Sequence, residues 1–480
     1  MMQAARIHPE GRAARTRARV RWVIATAGIA CLLANRPTKC AAQLPPVEIS
    51  IPPTVLIPNY DRILIGQREG LEAGAFVART GDAAANWYNP AGLVLSEKSA
   101  INASAVAYEW TTLSIEGLGE KTTRSRFNSV STLVAGVLGA PIISSDRWRL
   151  GFSATTPEYW QPGTIESEFE NPGGGGAERF SYLTDVSFSS FWPAVSAGFE
   201  VNPGLRLGAT ASLARTSLEE SQDVGGRFVA ADSSLARVRG FHASGTASEM
   251  LFSGGVQWDF MSNWTLGALL SSPGVRVRGK SLIIYEASAA GNEGAADLYF
   301  RDEEADFEYK HPLRVAAGLS HNFSDRASLE ANVRYHGSQD PYSMYSSSVQ
   351  GQRVVNNPGD PPLVQPVAFA DVINQNQEVW NFAAGGRYMF TKNWTGHAGF
   401  YTDSSPVENE GETIFRKADI LGLTGGATLS GEHLSGSLGL AFSFGDTGDV
   451  QVGTLADGSP AVSKSTIRVF SLSYAVSYVF

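Results

Sequence analysis

Several stretches of this chain alternate apolar and polar side chains with a period of two. Leu205, Leu207, Ala209, Ala211 and Leu213 face one way, and Arg206, Gly208, Thr210 and Ser212 the other. Val256, Trp258 and Phe260 alternate with Gly255, Gln257 and Asp259. The run Leu329, Ala331, Val333, Tyr335 alternates with Ser328, Glu330, Asn332, Arg334, and Leu438, Leu440, Phe442, Phe444 with Ser437, Gly439, Ala441, Ser443. A strand with one apolar face belongs either to a soluble sandwich or to a barrel between lipid and a wet lumen. The period alone does not separate the two.

The connections do. Tight polar turns fall at Ser144–Arg147, Asn202–Gly204, Met261–Asn263, Ser324–Arg326, Thr391–Asn393 and Gly431–His433. Each joins two alternating runs of about 8–12 residues, the signature of a hairpin. With one strand before them, near Ala100–Trp110, and one after, Ile467–Phe480, the expected total is fourteen. Between hairpins lie long segments: Thr111–Arg126, Pro157–Ser190, Thr216–Glu249, Pro273–Lys310, Gly337–Gln377, Asp403–Lys417 and Asp446–Lys464. They are rich in Gly, Pro, Asp, Glu and Ser and read as loops. Short turns at one end and long segments at the other mark an outer-membrane barrel. No uncharged apolar run of about 18 residues follows the leader, so a spanning chain must close its hydrogen bonds between strands. The expected fold is all-β: a fourteen-stranded transmembrane antiparallel barrel.

The first 42 residues read as a secretory signal peptide. Arg6, Arg12, Arg15, Arg17, Arg19 and Arg21 form a basic stretch, Trp22 to Ala34 an apolar one, and Cys40-Ala41-Ala42 a small-residue cleavage site. A lipidation site at Cys31 is the rival, but Gly28-Ile29-Ala30 lacks the expected leucine and sits inside the apolar run. Cleavage after Ala42 leaves 30 basic against 46 acidic residues, a formal charge of −16. That balance argues against nucleic acid as a partner. Both cysteines depart with the leader, so no disulfide or thiolate chemistry is expected.

Residues 43–99 precede the wall. The part from 43 to 65 is proline-rich (Pro45, Pro46, Pro52, Pro53, Pro58) and reads as an extended arm. From 66 to 99 the texture turns to Gly, Ala and small polar residues, suiting a plug, or hatch, in the lumen of a barrel spanning 100–480. A periplasmic tether is the alternative.

The run Gly81-Asp82-Ala83-Ala84-Ala85-Asn86-Trp87-Tyr88-Asn89-Pro90-Ala91-Gly92-Leu93 resembles the hatch motif of the FadL/TodX family of outer-membrane transporters. The resemblance continues through the hairpins at Val195–Leu213 and Pro312–Tyr335 and through Gly399–Val407, with Asp419 following. It implies fourteen strands, an N-terminal hatch with Gly81, Asp82, Asn89, Pro90, Ala91 and Gly92 as its motif, and passive, gated uptake of long-chain fatty acids or hydrocarbons. Within the motif Pro90 fixes its own backbone and Gly92 permits a tight reversal, so Asn89-Pro90-Ala91-Gly92 is expected to form a rigid turn. The proline arm before Gly66 is longer than a typical hatch start, so the gating details do not carry over directly.

Other motifs yield to simpler readings. Gly274–Ser281 matches the phosphate-loop pattern, but Val275 and Val277 alternate with Arg276 and Arg278, which predicts a strand. Neither a Gly-x-Ser-x-Gly elbow nor a His-Glu-x-x-His zinc motif occurs, so a barrel-embedded lipid hydrolase is the weaker alternative. A surface-binding or structural barrel is another. Asp446, Asp449 and Asp457 read as a solvated acidic turn, and no cofactor or metal is expected. Tyr159, Trp160, Phe180, Tyr182, Phe188, Phe191 and Trp192 could form a greasy entry cleft or an interfacial girdle.

Arg314 and Arg334 lie on the polar face of one hairpin, with Arg314 counted opposite Arg334 to His336. Two such arginines could hold a ligand carboxylate, or form wall ion pairs with Glu330 or Asp340. The outward series ending in Tyr478 and Phe480 predicts recognition by the barrel-assembly machinery. The expected partners are thus an apolar small molecule, outer-membrane lipid and lipopolysaccharide, and that machinery.

Overall fold

The computed structural model describes residues 57–480 apart from 117–121, 140–141, 172–176, 230–233, 293, 408–416 and 455–459. The leader, the lipidation site and Pro45–Pro53 therefore lie outside the described residues, as do Asp457 and the side chains of Phe180 and Asp449.

Fourteen strands close the wall: β1 Ala100–Glu116, β2 Thr122–Leu138, β3 Trp148–Trp160, β4 Ala177–Asn202, β5 Leu205–Val229, β6 Ser234–Met261, β7 Trp264–Ser271, β8 Arg314–Ser324, β9 Ala327–His336, β10 Val379–Met389, β11 Trp394–Asp403, β12 Asp419–Ser430, β13 Leu434–Thr454 and β14 Pro460–Val479. Each pairs antiparallel with the next. The ring shuts where Ala100 meets Val479 and Ile101 meets Tyr478. Closure satisfies the backbone between strands, as a lipid environment demands. All six expected turns are present, and among the described residues no helix is long and apolar enough to cross a membrane.

The long segments differ from expectation. They are largely strand, not loop: β6 runs 28 residues, and Thr216–Glu249 falls almost wholly inside β5 and β6. A tilted strand needs only about 9–11 residues to span a bilayer. Beyond it the outward face meets water and turns polar, while the hydrogen-bonded ladder continues and the inward face still buries residues such as Leu218, Phe241, Ile283 and Tyr285. Above β7 and β8 the wall is carried on by Val275–Gly291 and Gly294–Phe307, the first paired with upper β6 and the two with each other. The phosphate-loop look-alike is the start of the first of these strands.

Outward residues of the spanning part are apolar and exposed, among them Leu207, Leu213, Phe252, Val256, Leu319, Phe382, Leu438 and Phe442. Aromatics crowd near the short turns, including Trp148, Trp258, Phe323, Phe390, Trp394 and Phe480, as an interfacial girdle requires. Inside, two layers of buried side chains lie along the axis. One packs residues 57–99 against the wall, with Ile65, Phe76, Tyr88 and Leu133 at a centre of it. The other is an aromatic cluster toward the long-segment end, including Trp160, Phe188, Phe241, Tyr285, Phe300, Phe307 and Tyr345.

Candidate functional site

The segment before the wall folds into the lumen. It holds a single turn of 3-10 helix at Gly70–Glu72, a short α-helix Ala85–Tyr88 and a second 3-10 helix Pro90–Leu95. Asp82 Oδ1 accepts from Ala84 N at 2.9 Å ahead of the α-helix, and its Oδ2 accepts from Arg68 at 2.6 Å. Pro90 occupies the first helical position, where its missing N–H costs nothing, and holds Asn89 extended at φ −169°, ψ 105°. Asn89 Oδ1 accepts from Ala91 N at 3.2 Å. The Asn89–Gly92 run is therefore the start of a helix, tighter than the simple turn its composition suggests.

Asn89 also joins the hatch to the wall. Its Nδ2 donates to Val77 O at 2.8 Å and to Val256 O on β6 at 2.9 Å. Close approach here depends on glycine. A Cβ on Gly92 would stand 2.2 Å from Thr80 O, and one on the wall residue Gly255 2.0 Å from Asn89 Oδ1. Gly208 and Gly267 are likewise pressed against Pro90 and Val77. Inward wall glycines are the floor on which the hatch lies.

Charged and polar groups fix the rest. Glu330 on β9 accepts from Ala78 N at 2.9 Å and Arg79 N at 3.1 Å, and Arg79 Nε approaches it at 3.3 Å. Glu72 bonds Arg79 and takes His397 Nδ1 of β11 at 2.6 Å. With these contacts distributed around the ring, the hatch is pinned on several sides, and each of these buried charges has a partner, the condition for tolerating it.

The arginine pair is half as expected. The register sets Arg314 opposite His336. Arg334, however, meets neither Glu330, which the hatch uses, nor Asp340, which is exposed. Its Nη1 lies 3.2 Å from Asp61 Oδ1, and its Nη2 donates to Gly74 O at 2.7 Å. Asp61 Oδ2 in turn lies 3.2 Å from His336 Nε2 and accepts from Asn381 at 2.8 Å. Tyr60 stacks on His336 at 4.6 Å, so the end of the proline arm is itself seated in the lumen. Arg314 has no hydrogen bond or ion pair among the described residues; its guanidinium lies 5.0 Å from the Trp87 ring centroid. A narrow cleft is lined by Arg314, Arg334, Asp61, Trp87, Tyr88 and Pro157.

From this cleft aromatic rings run toward the outer cluster. Trp87 meets Trp192 edge-on at 5.5 Å, Trp192 meets His311 at 4.8 Å, His311 meets Tyr309 at 5.2 Å, and Tyr309 meets Phe188 at 5.2 Å. His311 is clasped by two carboxylates, Nδ1 to Glu249 at 2.6 Å and Nε2 to Glu158 at 3.2 Å. It sits in the link above β8. Burial there opposes its charge, but Glu158 and Glu249 outweigh burial and push its pKa up to about 10. The aromatics weighed as cleft or girdle thus divide. Trp160, Tyr182 and Phe188 are buried inside, Trp192 and Tyr159 pack beside the hatch, and Phe191 faces outward.

Beside the cleft the wall is unzipped. The β2–β3 ladder stops at Leu133 and Thr155, while β2 continues with β1 as far as Thr122 and β3 continues with β4 as far as Trp160. Pro157, which has no N–H to donate, falls at the β3 irregularity between Thr155 and Glu158.

A model of the outer membrane transport proteins OMPP1/FadL/TodX matches residues 71–452. The chain belongs to this family. Solved structures share the fold of this FadL/TodX-family protein. A Pseudomonas aeruginosa FadL homologue is 16% identical with a TM-score of 0.55, covering 88% of this chain and 99% of its own. The P. putida toluene transporter TodX is 14% identical with a TM-score of 0.56, covering 86% and 98%. The Ralstonia pickettii toluene transporter TbuX is 15% identical with a TM-score of 0.50, covering 88% and 99%. No curated protein matches by sequence. The family member described here is thus an outer-membrane barrel, and its lumen is filled by a hatch.

Asp61, Trp87 and the Glu158–His311–Glu249 group were not singled out by the sequence reading as site residues. Asp61 follows the prolines in an arm with no periodicity, and the two carboxylates that clasp His311 lie 62 and 153 positions from it along the chain. Only closure of the ring brings them together.

Proposed function

We propose that the protein carries hydrophobic molecules, long-chain fatty acids or hydrocarbons, passively across the outer membrane. The observation that carries this is the unbroken series of aromatic rings from the outer cluster to the cleft beside the hatch. A ligand moving along it trades water for ring faces at roughly 25 cal/mol per Å² of apolar surface buried. A hydrophilic solute gains nothing from such a lining. The toluene carried by TodX and TbuX is a cargo of this chemistry.

Cargo leaves by one of two routes, past the hatch or sideways at the β2–β3 seam; the cleft reaches the seam at Pro157, which favours the second. If the cargo carries a carboxylate, Arg314 is the group placed to meet it, because it lines the cleft and is not ion-paired. Arg334 becomes available only when Asp61 moves away. Gly81, Asp82, Asn89, Pro90, Ala91 and Gly92 act in this reading as the rigid part of the gate.

Uptake of labelled palmitate and toluene by a deletion strain carrying plasmid-borne variants tests the proposal. Trp87→Ala should reduce both cargoes, and Arg314→Gln only palmitate. Equal uptake of both by the deletion strain and by wild type would reject transport and leave a surface-binding or structural barrel.

A further inference from the structure

The outer face of the wall carries cations that transport through the lumen does not use. On β5 the outward residues run Leu207, Ala209, Ala211, Leu213 and then Arg215. The register pairs Leu213 with Met250 and Arg215 with Ser248 on β6. On its other side β6 pairs Met250 with Val275 and Ser248 with Arg278. Directly paired residues share a face, so Arg215, Ser248 and Arg278 form one row outside the barrel. The row immediately below is Leu213, Met250 and Val275, all exposed and apolar. The row above is Ser217, Thr246 and Lys280.

The height of this row matters. From Leu205 to Leu213 a strand at barrel tilt climbs roughly 20–25 Å, the height of the apolar belt of an outer-membrane barrel. Arg215 and Arg278 therefore stand where acyl chains give way to head groups, at the end of the barrel with the long segments.

Their lack of partners also matters. Other exposed arginines nearby are neutralised: Arg276 by Asp306 at 2.6 Å, and Arg301 by Glu303 at 2.8 Å. Arg215 and Arg278 are exposed and, among the described residues, make no hydrogen bond or ion pair. Lys280 donates to Glu304 O at 3.0 Å and stands 3.7 Å from that residue's exposed carboxylate. Glu219, Asp223 and Glu286, further up the same strands, are other acids on this face. Ser248, between the two arginines, is only 5% exposed although its side faces outward.

We propose that Arg215 and Arg278, with Lys280 above them, bind the phosphate of a phosphorylated glycolipid of the outer leaflet, its acyl chains lying on Leu213, Met250 and Val275. Two strand spacings, about 10 Å, separate the two arginine backbones. Long side chains converging from that distance can share one phosphate, and the guanidinium fork binds phosphate oxygens in pairs. Apolar surface below and cations above match an acylated, phosphorylated head group and not a soluble anion. The site depends on the membrane placement of the barrel and is independent of the cargo.

The test uses the purified full-length barrel in detergent with bis-phosphorylated lipid A, its dephosphorylated form, and inorganic phosphate, read by native mass spectrometry. Wild type should retain the phosphorylated lipid at least tenfold over the dephosphorylated one. Arg215→Gln/Arg278→Gln should lose that preference, Arg215→Lys/Arg278→Lys should keep part of it, and Arg326→Gln, in a turn at the opposite end, should match wild type. Unchanged retention by the glutamine double variant, with heat-modifiable migration showing that it is folded, overturns the site. So does full displacement of the lipid by equimolar inorganic phosphate, which would reveal an anion site indifferent to lipid.

Discussion

Arg334 and Asp61 hold each other at 3.2 Å inside the lumen, both almost fully buried, one on the wall and the other on the arm that precedes the hatch. The pair makes the arm part of the seal. Asp61 neutralises one of the two arginines lining the cleft, so an acidic group reaches Arg334 only by displacing a carboxylate already in place.

Removing that internal competitor should alter selectivity. Asp61→Asn keeps the hydrogen bonds to Asn381 and His336 within reach but withdraws the charge facing Arg334. Leaving a buried charge without its partner costs about 3–5 kcal/mol. A ligand carboxylate can recover part of that cost and a hydrocarbon cannot. The expected outcome is a severalfold rise in the ratio of palmitate to toluene uptake. An unchanged ratio would mean that carboxylates do not reach Arg334.

His311 gives the barrel a pH-dependent bond. Its folded pKa, about 10, lies above the ordinary histidine value near 6.5. The sign follows from linkage. A raised pKa contributes stability that is fully present below about pH 6.5 and is lost as pH climbs through 10. Wild type should therefore lose thermal stability relative to His311→Gln between pH 7 and 11, the difference shrinking steadily. Melting curves for both proteins across that window check it, since tyrosine and lysine titration is common to both. A constant difference would mean that the imidazole is not held charged by Glu158 and Glu249.

What the sequence made legible follows from which forces are local. The period-two runs and six polar turns specify the ring, because hairpin pairing joins neighbours in the chain. Arg314 and His336 came out opposite each other for the same reason, by counting from the turn at Ser324–Arg326. The hatch motif was legible because Asn89-Pro90 carries its own backbone restriction. The upper ladders were not, since their outward face is as polar as a loop and their buried inward residues, such as Phe241, Tyr285 and Phe300, stand in segments rich in Gly, Ser and Asp. Nor was the Asp61–Arg334 bond, which spans the lumen and leaves no periodic trace. Inward glycines such as Gly208 and Gly255 show why: their purpose is another segment's backbone lying against them.

The closing strand carries a second kind of information. Tyr478 and Phe480 face outward with rings 5.0 Å apart, and Phe480 N donates to Ser99 O at 2.9 Å. Deleting Tyr478–Phe480 removes the pairing of Ile101 and Leu434 with Tyr478 but leaves most of the β14 ladder. Thermodynamic loss should be modest, so a severe fall in surface level would point to recognition by the assembly machinery. Immunodetection of the outer-membrane fraction, beside a variant shortened within Leu363–Ala368, separates the two. Normal levels after the truncation would remove the targeting role.

The hatch itself is the sharpest test of the channel. None of the fourteen strands draws a ladder partner from residues 66–93, because every wall pairing joins residues from Ala100 onward. The hatch is instead held by side chains, among them Asn89 on Val256, Glu330 on Ala78 and Arg79, and His397 on Glu72. Deleting 66–93 should therefore leave an assembled, heat-modifiable barrel while opening its lumen. A milder lesion acts at one contact: Gly255→Ala places a methyl where Asn89 Oδ1 lies 2.0 Å and Pro90 Cδ 3.0 Å away, so the hatch must shift there. Overpacking of this kind costs about 1–3 kcal/mol, enough to loosen the hatch without unfolding the wall. Both variants should lose selective uptake of hydrophobes and become sensitive to small hydrophilic antibiotics, the deletion more than the point substitution. Wild-type susceptibility and uptake in the deletion strain, with normal barrel levels, would show that residues 66–93 do not gate the lumen.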